Sequence, residues 1–298
     1  MKRSSHELAL KKWAVLFAAV LSACFVVSLC AGILAAAHRT QTHGPSLTTV
    51  QIEIEKQRQR LASPEPEERR DAVTRLGSIG RSDASRVALS ALSDPAAIVR
   101  ATAAQAVLSL PSDQSAEALI PLLGDADEFV RREVAYALGK TKSRSATNPL
   151  IKLLSEDKKQ SVRGAAAVGL GQIGDEAAVV PLAQLLAIQQ SSTGKSNKKN
   201  RRQNPFLLRA VAHSLGQIRS RAAVPALIAT LEDQDAENDI KREAVIALGL
   251  IGDPAAVPAL RALEVTLDPY LSFAAHQALR KISLLAPETS AQKPIPPS

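Results

Sequence analysis

The chain of 298 residues carries 37 Lys and Arg against 29 Asp and Glu, a formal net charge of +8, with 46% hydrophobic residues, only 3% aromatic ones and two cysteines. Two cysteines exclude a disulfide framework and any four-cysteine zinc site, and so few aromatics argue against base-stacking nucleic-acid modules and most β-sandwiches. The length suits one large or two ordinary domains, and a core this poor in rings must be built from Ala, Leu, Val and Ile, as closely packed helices are.

At the N-terminus, Lys2, Arg3, Lys11 and Lys12 against Glu7 give residues 1–12 a net +3. From Trp13 to Ala37 there is no charge for 25 residues, more than the roughly 20 a helix needs to cross a bilayer. This predicts a transmembrane anchor over 13–37. With the cations before it, residues 1–12 are a cytoplasmic basic tail, and the rest lies outside a bacterial inner (plasma) membrane. Two alternatives involve processing. Leu21-Ser22-Ala23-Cys24 resembles a lipoprotein acylation site at Cys24, although the following residues stay apolar, and Ala35-Ala36-Ala37 resembles a signal-peptidase site of a cleaved, exported chain. Cys24, Ser28, Gly32 and Ala36 form a small-residue stripe, which in an Ala-rich helix needs no partner. Residues 38–46 read as a linker.

Beyond the linker the chain repeats itself. Val130-Arg131-Arg132-Glu133-Val134-Ala135-Tyr136-Ala137-Leu138-Gly139 recurs from Val162 to Gly171 and from Ile240 to Gly249, with weaker copies around Arg69, Arg100, Leu208 and Ser272. The marks 69, 100, 131, 163, 208, 241 and 272 are 31, 31, 32, 45, 33 and 31 residues apart. A period near 31 with helical spacing inside it predicts stacked helix pairs. Between the marks runs a second apolar motif, with Pro121, Pro181, Pro225 or Pro258 near its start, and a first turn tolerates proline because its N–H has no intrahelical partner. Gly77, Gly139, Gly171, Gly216 and Gly249 fall near the ends of the marked helices and are expected to take the left-handed cap conformation.

These residues resemble the HEAT repeat, in the bacterial subtype named after the phycobilisome lyases. The resemblance covers about residues 47–285 and implies an all-α fold, an α-solenoid of about seven HEAT-like helix pairs; with the apolar run before it, the expected architecture is that solenoid preceded by one transmembrane helix. The polar first helix, Thr49-Val50-Gln51-Ile52-Glu53-Ile54-Glu55, reads as a cap on the end of the stack. In such repeats an Asp six residues before a basic mark is a structural ladder between neighbouring units. The pairs here are Asp94 with Arg100, Asp125 with Arg131, Asp157 with Arg163 and Asp235 with Lys241.

The fourth interval exceeds the repeat by about 14 residues and holds the insertion 189–204, in which Lys195, Lys198, Lys199, Arg201 and Arg202 carry a net +5 with no acid. With the N-terminal +3 this accounts for the whole charge excess, so the stack is neutral and nucleic-acid binding is not expected. The insertion reads either as a solvated spacer or as a loop contacting anionic lipid or polymer. Its Gly194-Lys195-Ser196 lacks the earlier glycine and the strand of a phosphate-binding loop, Gln189 standing where that glycine belongs. Residues 286–298, ending in Lys293-Pro294-Ile295-Pro296-Pro297, read as a disordered tail.

No catalytic, cofactor-binding or metal-ligating set emerges. The resemblance brings deoxyhypusine hydroxylase into view, a HEAT-repeat enzyme holding two irons through repeated His-Glu pairs, but the only such dipeptide here is His6-Glu7. His213 and His276 stand 63 residues apart at inequivalent positions, and both cysteines fall in the apolar segment. The expected function is a noncatalytic scaffold or adaptor, without cofactor, binding an unidentified protein along the concave helix face. The alternatives are a lyase-like or enzyme-activating subunit and an electrostatic adaptor working through loop 189–204.

Overall fold

The computed structural model describes residues 48–191 and 205–285. Among them are fourteen α-helices joined by short 3-10 turns. They form helix pairs: α1 (Thr49–Arg60) with α2 (Pro66–Ile79), α3 (Ser82–Ala88) with α4 (Ala97–Ala106), α5 (Ser112–Leu119) with α6 (Glu128–Thr141), and α7 (Thr147–Glu156) with α8 (Gln160–Ile173). The remaining three are α9 (Val179–Ser191) with α10 (Pro205–Ile218), α11 (Val224–Glu232) with α12 (Asn238–Ile251), and α13 (Val257–Ala262) with α14 (Pro269–Leu285). The second helices pack serially, α2 on α4 and so on to α14, while the first helices cover one side of that row. This is an α-solenoid.

Its packing follows from side-chain size. The largest fully buried side chains are all leucines, from Leu76 to Leu248, and alanine or valine at the fourth position after each mark lets successive second helices approach. Val73, Ala104, Ala135, Ala167, Ala212 and Val245 occupy that position and are all fully buried. The glycines carry the approach further. A Cβ on Gly139 would fall 2.7 Å from the Gly169 Cα, and one on Gly216 would fall 2.7 Å from the Ala247 Cα. These glycines therefore do not take the cap role expected of them. The left-handed caps lie three residues later, at Gly80, Lys142, Gly174, Arg219 and Gly252, because the helices run a further turn beyond the close contact.

The later first helices start as the prolines suggest, whereas Pro121 falls beyond the end of α5, in the 3-10 turn Ile120–Gly124 that follows it. Ser143, Asp175, Ser220 and Asp253 each accept the backbone N–H two residues on and open a 3-10 turn that leads into the α-helix. Pro225 and Pro258 sit in the first turn of α11 and α13. The α1 helix is mostly exposed and buries only Ile54 and Gln57, Gln57 being tied to Glu53 and Arg60 by side-chain hydrogen bonds.

The expected localisation, a single-pass protein of a bacterial inner membrane, is overturned. Among the described residues no helix is long and apolar enough to cross a membrane: the longest is α14 with 17 residues, short of the roughly 20 a span requires. The anchor assigned to 13–37, the flanking tail and linker, Cys24 and the tail 286–298 lie outside the described residues, as do Lys195, Lys198, Lys199, Arg201 and Arg202 of the insertion.

Candidate functional site: the row of second helices

Two features of this row carry chemistry, a chain of ion pairs between helix pairs and an exposed face. The ion pairs start one repeat earlier than the spacing suggested. Arg69 donates from Nε and Nη2 to the two carboxylate oxygens of Asp94 at 2.7 and 2.8 Å, while its Nη1 donates to the carbonyls of Ser63 and Pro64. Arg100 does the same to Asp125, at 2.8 and 2.9 Å, and Arg131 to Asp157, at 2.7 and 3.3 Å. Each arginine thus holds its own loop by carbonyls and the next pair's loop by a carboxylate, a bidentate fork that lysine has no geometry to make. Each aspartate also accepts a backbone N–H two residues on, from Ala96, Asp127 and Lys159.

The carboxylates are nearly enclosed, 8%, 10% and 5% exposed for Asp94, Asp125 and Asp157. The arginine hydrogen bonds hold Asp94 and Asp125 below the ordinary carboxylate range against the upward push of burial. For Asp157 burial is the largest influence and pushes upward, but Arg131, the Lys159 N–H and nearby cations together still leave it lowered. The matching guanidinia of Arg69, Arg100 and Arg131 are raised, chiefly by the same hydrogen bonds.

The expected pairs Asp94 with Arg100 and Asp125 with Arg131 meet only at the aspartates' backbone carbonyls, each carboxylate taking the arginine of the preceding repeat instead. Two further positions depart from the ladder. Arg163 donates to the Leu154 carbonyl at 2.7 Å rather than to a described carboxylate. Ahead of Lys241 the residue whose carboxylate accepts the N–H two positions on is Asp233, bonded to the Asp235 N–H, so Asp233 and not Asp235 occupies the place of Asp94, Asp125 and Asp157. Two extra residues in that loop shift the register and defeat a fixed six-residue spacing.

The exposed face is defined by helix register. Positions two before, one after and five after each mark lie within about 60° of one another at 100° per residue. All five aromatics of residues 48–298 stand there: Phe129, Phe206 and Tyr270 two before, Phe273 one after and Tyr136 five after a mark. Tyr270 and Phe273 are 72% and 64% exposed, Phe206 is 38% exposed, and Phe129 and Tyr136 are half-buried. The Arg132 guanidinium lies over the Phe129 ring, 5.0 Å from its centroid, and the Phe206 ring closes over Gly164. Between α12 and α14 the face dips into a groove of about 290 Å³ floored by Ile246, Tyr270 and Phe273.

Three stretches, residues 54–139, 116–196 and 200–284, match the family model for HEAT repeats and together span well over half of the chain. The chain belongs to the HEAT-repeat family. Among curated relatives, deoxyhypusine hydroxylase from Gallus gallus is 42% identical over 69 residues, 23% of this chain and 22% of that protein. An uncharacterized protein encoded in the gldA 3′ region of Geobacillus stearothermophilus is 36% identical over 67 residues, 22% of this chain and 31% of that one. The chain thus spans less than a third of the length of these relatives. Among solved structures, Kap121p superposes with a TM-score of 0.52 at 15% identity over 79% of this chain and 29% of its own. The CpcE and CpcF complex of phycocyanin lyase from Nostoc sp. PCC7120 gives 0.47 at 24% identity over 82% and 96%. Human deoxyhypusine hydroxylase gives 0.35 at 19% identity over 78% and 96%. The likeness to Kap121p, at 15% identity, shows the fold alone.

Among the described residues the His and Glu side chains do not assemble the donor set of a two-iron centre of the hydroxylase kind. His213 meets Glu243 at 3.4 Å and His276 meets Glu264 at 2.8 Å, each an exposed bridge on a different part of the stack. Among the described residues no group of three or more His, Cys, Asp or Glu side chains gathers to hold a metal ion.

Proposed function

We propose that this protein is a noncatalytic binding scaffold whose exposed row of second helices receives another protein. The observation that supports this reading is the placement of the aromatics. The fully buried core is entirely aliphatic, and every ring of residues 48–298 lies on one face, Phe129 and Tyr136 partly packed against the core, Phe206 over Gly164, and Tyr270 and Phe273 largely exposed. Aromatic side chains exposed in a row are costly to leave in water and are the residue type that dominates protein interfaces. The repeated architecture offers them as an extended surface.

The test is site-specific photocrosslinking in native extract. A crosslinking amino acid replaces Tyr136, His213 or Gln277 on the second-helix face, and Glu117 or Arg261 on the first-helix layer. Discrete protein adducts are expected from the first three positions and not from the last two. Equal labelling from both layers, or none from the face, would overturn the proposal.

A further inference from the structure

Resting on that reading, we infer that the groove between α12 and α14 takes an acidic peptide segment of the partner carrying a bulky apolar side chain. The floor is apolar, and the charged groups lining the groove are both cations: Arg242 on α12 and Lys281 on α14, with Gln277 beside them. Lys281 has no ion pair among the described residues. Arg242 shares the carboxylate of Asp239, at 2.8 Å, with Arg209 of α10, at 3.6 Å, and also lies in the field of Asp268, so Arg209, Arg242 and Lys281 face two acids. A hydrophobic floor between under-neutralised cations is complementary to a carboxylate, then an apolar anchor, then a second carboxylate.

Helix register sets the spacing. Arg242 stands one residue after its mark and Lys281 nine after the next, so they are displaced by about 12 Å along the neighbouring helices at 1.5 Å per residue. With about 9 Å between neighbouring helix axes the separation is about 15 Å, which an extended peptide covers in about four to five residues. The recognised segment therefore has two acidic residues about four to five positions apart with Leu, Ile or Phe between them. The chain's own residues 286–298 are a poor match, since Glu288 is their one acid and Lys293 cancels it.

Selection of a random dodecapeptide library on the immobilised full-length chain tests this. Acidic sequences with an intervening apolar residue should be enriched. Their binding, read by fluorescence anisotropy, should fall at least about tenfold in the Arg242→Glu with Lys281→Glu variant and in Phe273→Ser, and should weaken with salt. Lys281 and Phe273 are exposed and Arg242 is half-buried, and unchanged circular dichroism melts would show the variants folded. Failure to enrich any sequence, enrichment of neutral or basic sequences, or insensitivity to both variants would overturn the inference. So would tighter binding of a synthetic 286–298 peptide, or a dimer in light scattering that Tyr270→Ser dissolves, since the groove would then be filled by the chain itself. Face-specific crosslinks with a non-acidic selection would leave the scaffold reading standing and remove only this one.

Discussion

A guanidinium that grips its own loop by two carbonyls and the next loop by a carboxylate ties two helix pairs with one side chain. Removing one partner leaves the other enclosed and uncompensated, so Arg100→Ala should cost about 3 kcal/mol in urea unfolding, with the double variant Arg100→Ala, Asp125→Ala costing less than the sum of the single changes. The pH sign follows from the lowered carboxylates of Asp94, Asp125 and Asp157. A group lowered in the fold stabilises it fully above the unfolded value of about 4 and loses that contribution as pH falls through the folded value. The melting temperature should drop below about pH 4, and less steeply in the double variant. Gly216→Ala should destabilise by about 1–3 kcal/mol because its Cβ meets backbone, while Gly124→Ala, with open space around it, should be neutral or slightly stabilising. Sequence spacing revealed Arg100 and Arg131 because their marks recur. It missed Arg69, whose own acid position is Ser63, and misplaced Asp233, because a two-residue loop change is invisible to a fixed offset. The glycines misled for a related reason: close approach and left-handed capping both call for glycine, three residues apart, and only the backbone tells them apart.

At the scale of the element, the helices departing from the pattern are the informative ones. The α4 helix stops after ten residues and tightens into a 3-10 turn where Leu108 replaces the usual glycine and Pro111 the usual cap. The α14 helix replaces both packing positions: His276 stands where Val or Ala packs against the next second helix, and Arg280 where glycine does. His276 turns instead to Glu264 at 2.8 Å. These two polar residues interrupt the packing pattern at the last described helix pair, giving it the polar outer face of a capping repeat. Replacing His276 with Val and Arg280 with Gly should reopen it and produce concentration-dependent self-association in sedimentation velocity, absent from the parent chain. This reading was available from the repeat alignment alone, since the substitutions fall at fixed offsets from the marks. The role of the aromatics was not, because their scarcity is visible in composition but their shared face emerges only when burial is assigned residue by residue.

For the molecule as a whole, the ion pairs and the recognition face are distributed unequally. The three described rungs join the first four helix pairs, whereas the later marks are Leu208, Lys241 and Ser272, none able to make the arginine fork. The aromatic face runs over the third to seventh pairs. Amide exchange should therefore be slower in α2 and α4 than in α12 and α14, although both sets lie near an end of the described stack; equal protection would show that the rungs add little to local stability. The all-helical repeat was legible from periodicity throughout, whereas the membrane placement drawn from an apolar run finds no spanning helix among the described residues. In mechanical terms the stack resembles two springs in series, one stiffened by enclosed arginine forks and one bridged by more exposed contacts such as Arg209 with Asp239, Arg221 with Asp253 and Asn238 with Asp268. Tension between a ligand seated near Phe129 and another near Phe273 would be taken up mainly in the second spring, so that the spacing of the two contacts could adjust to the partner at one end while staying fixed at the other.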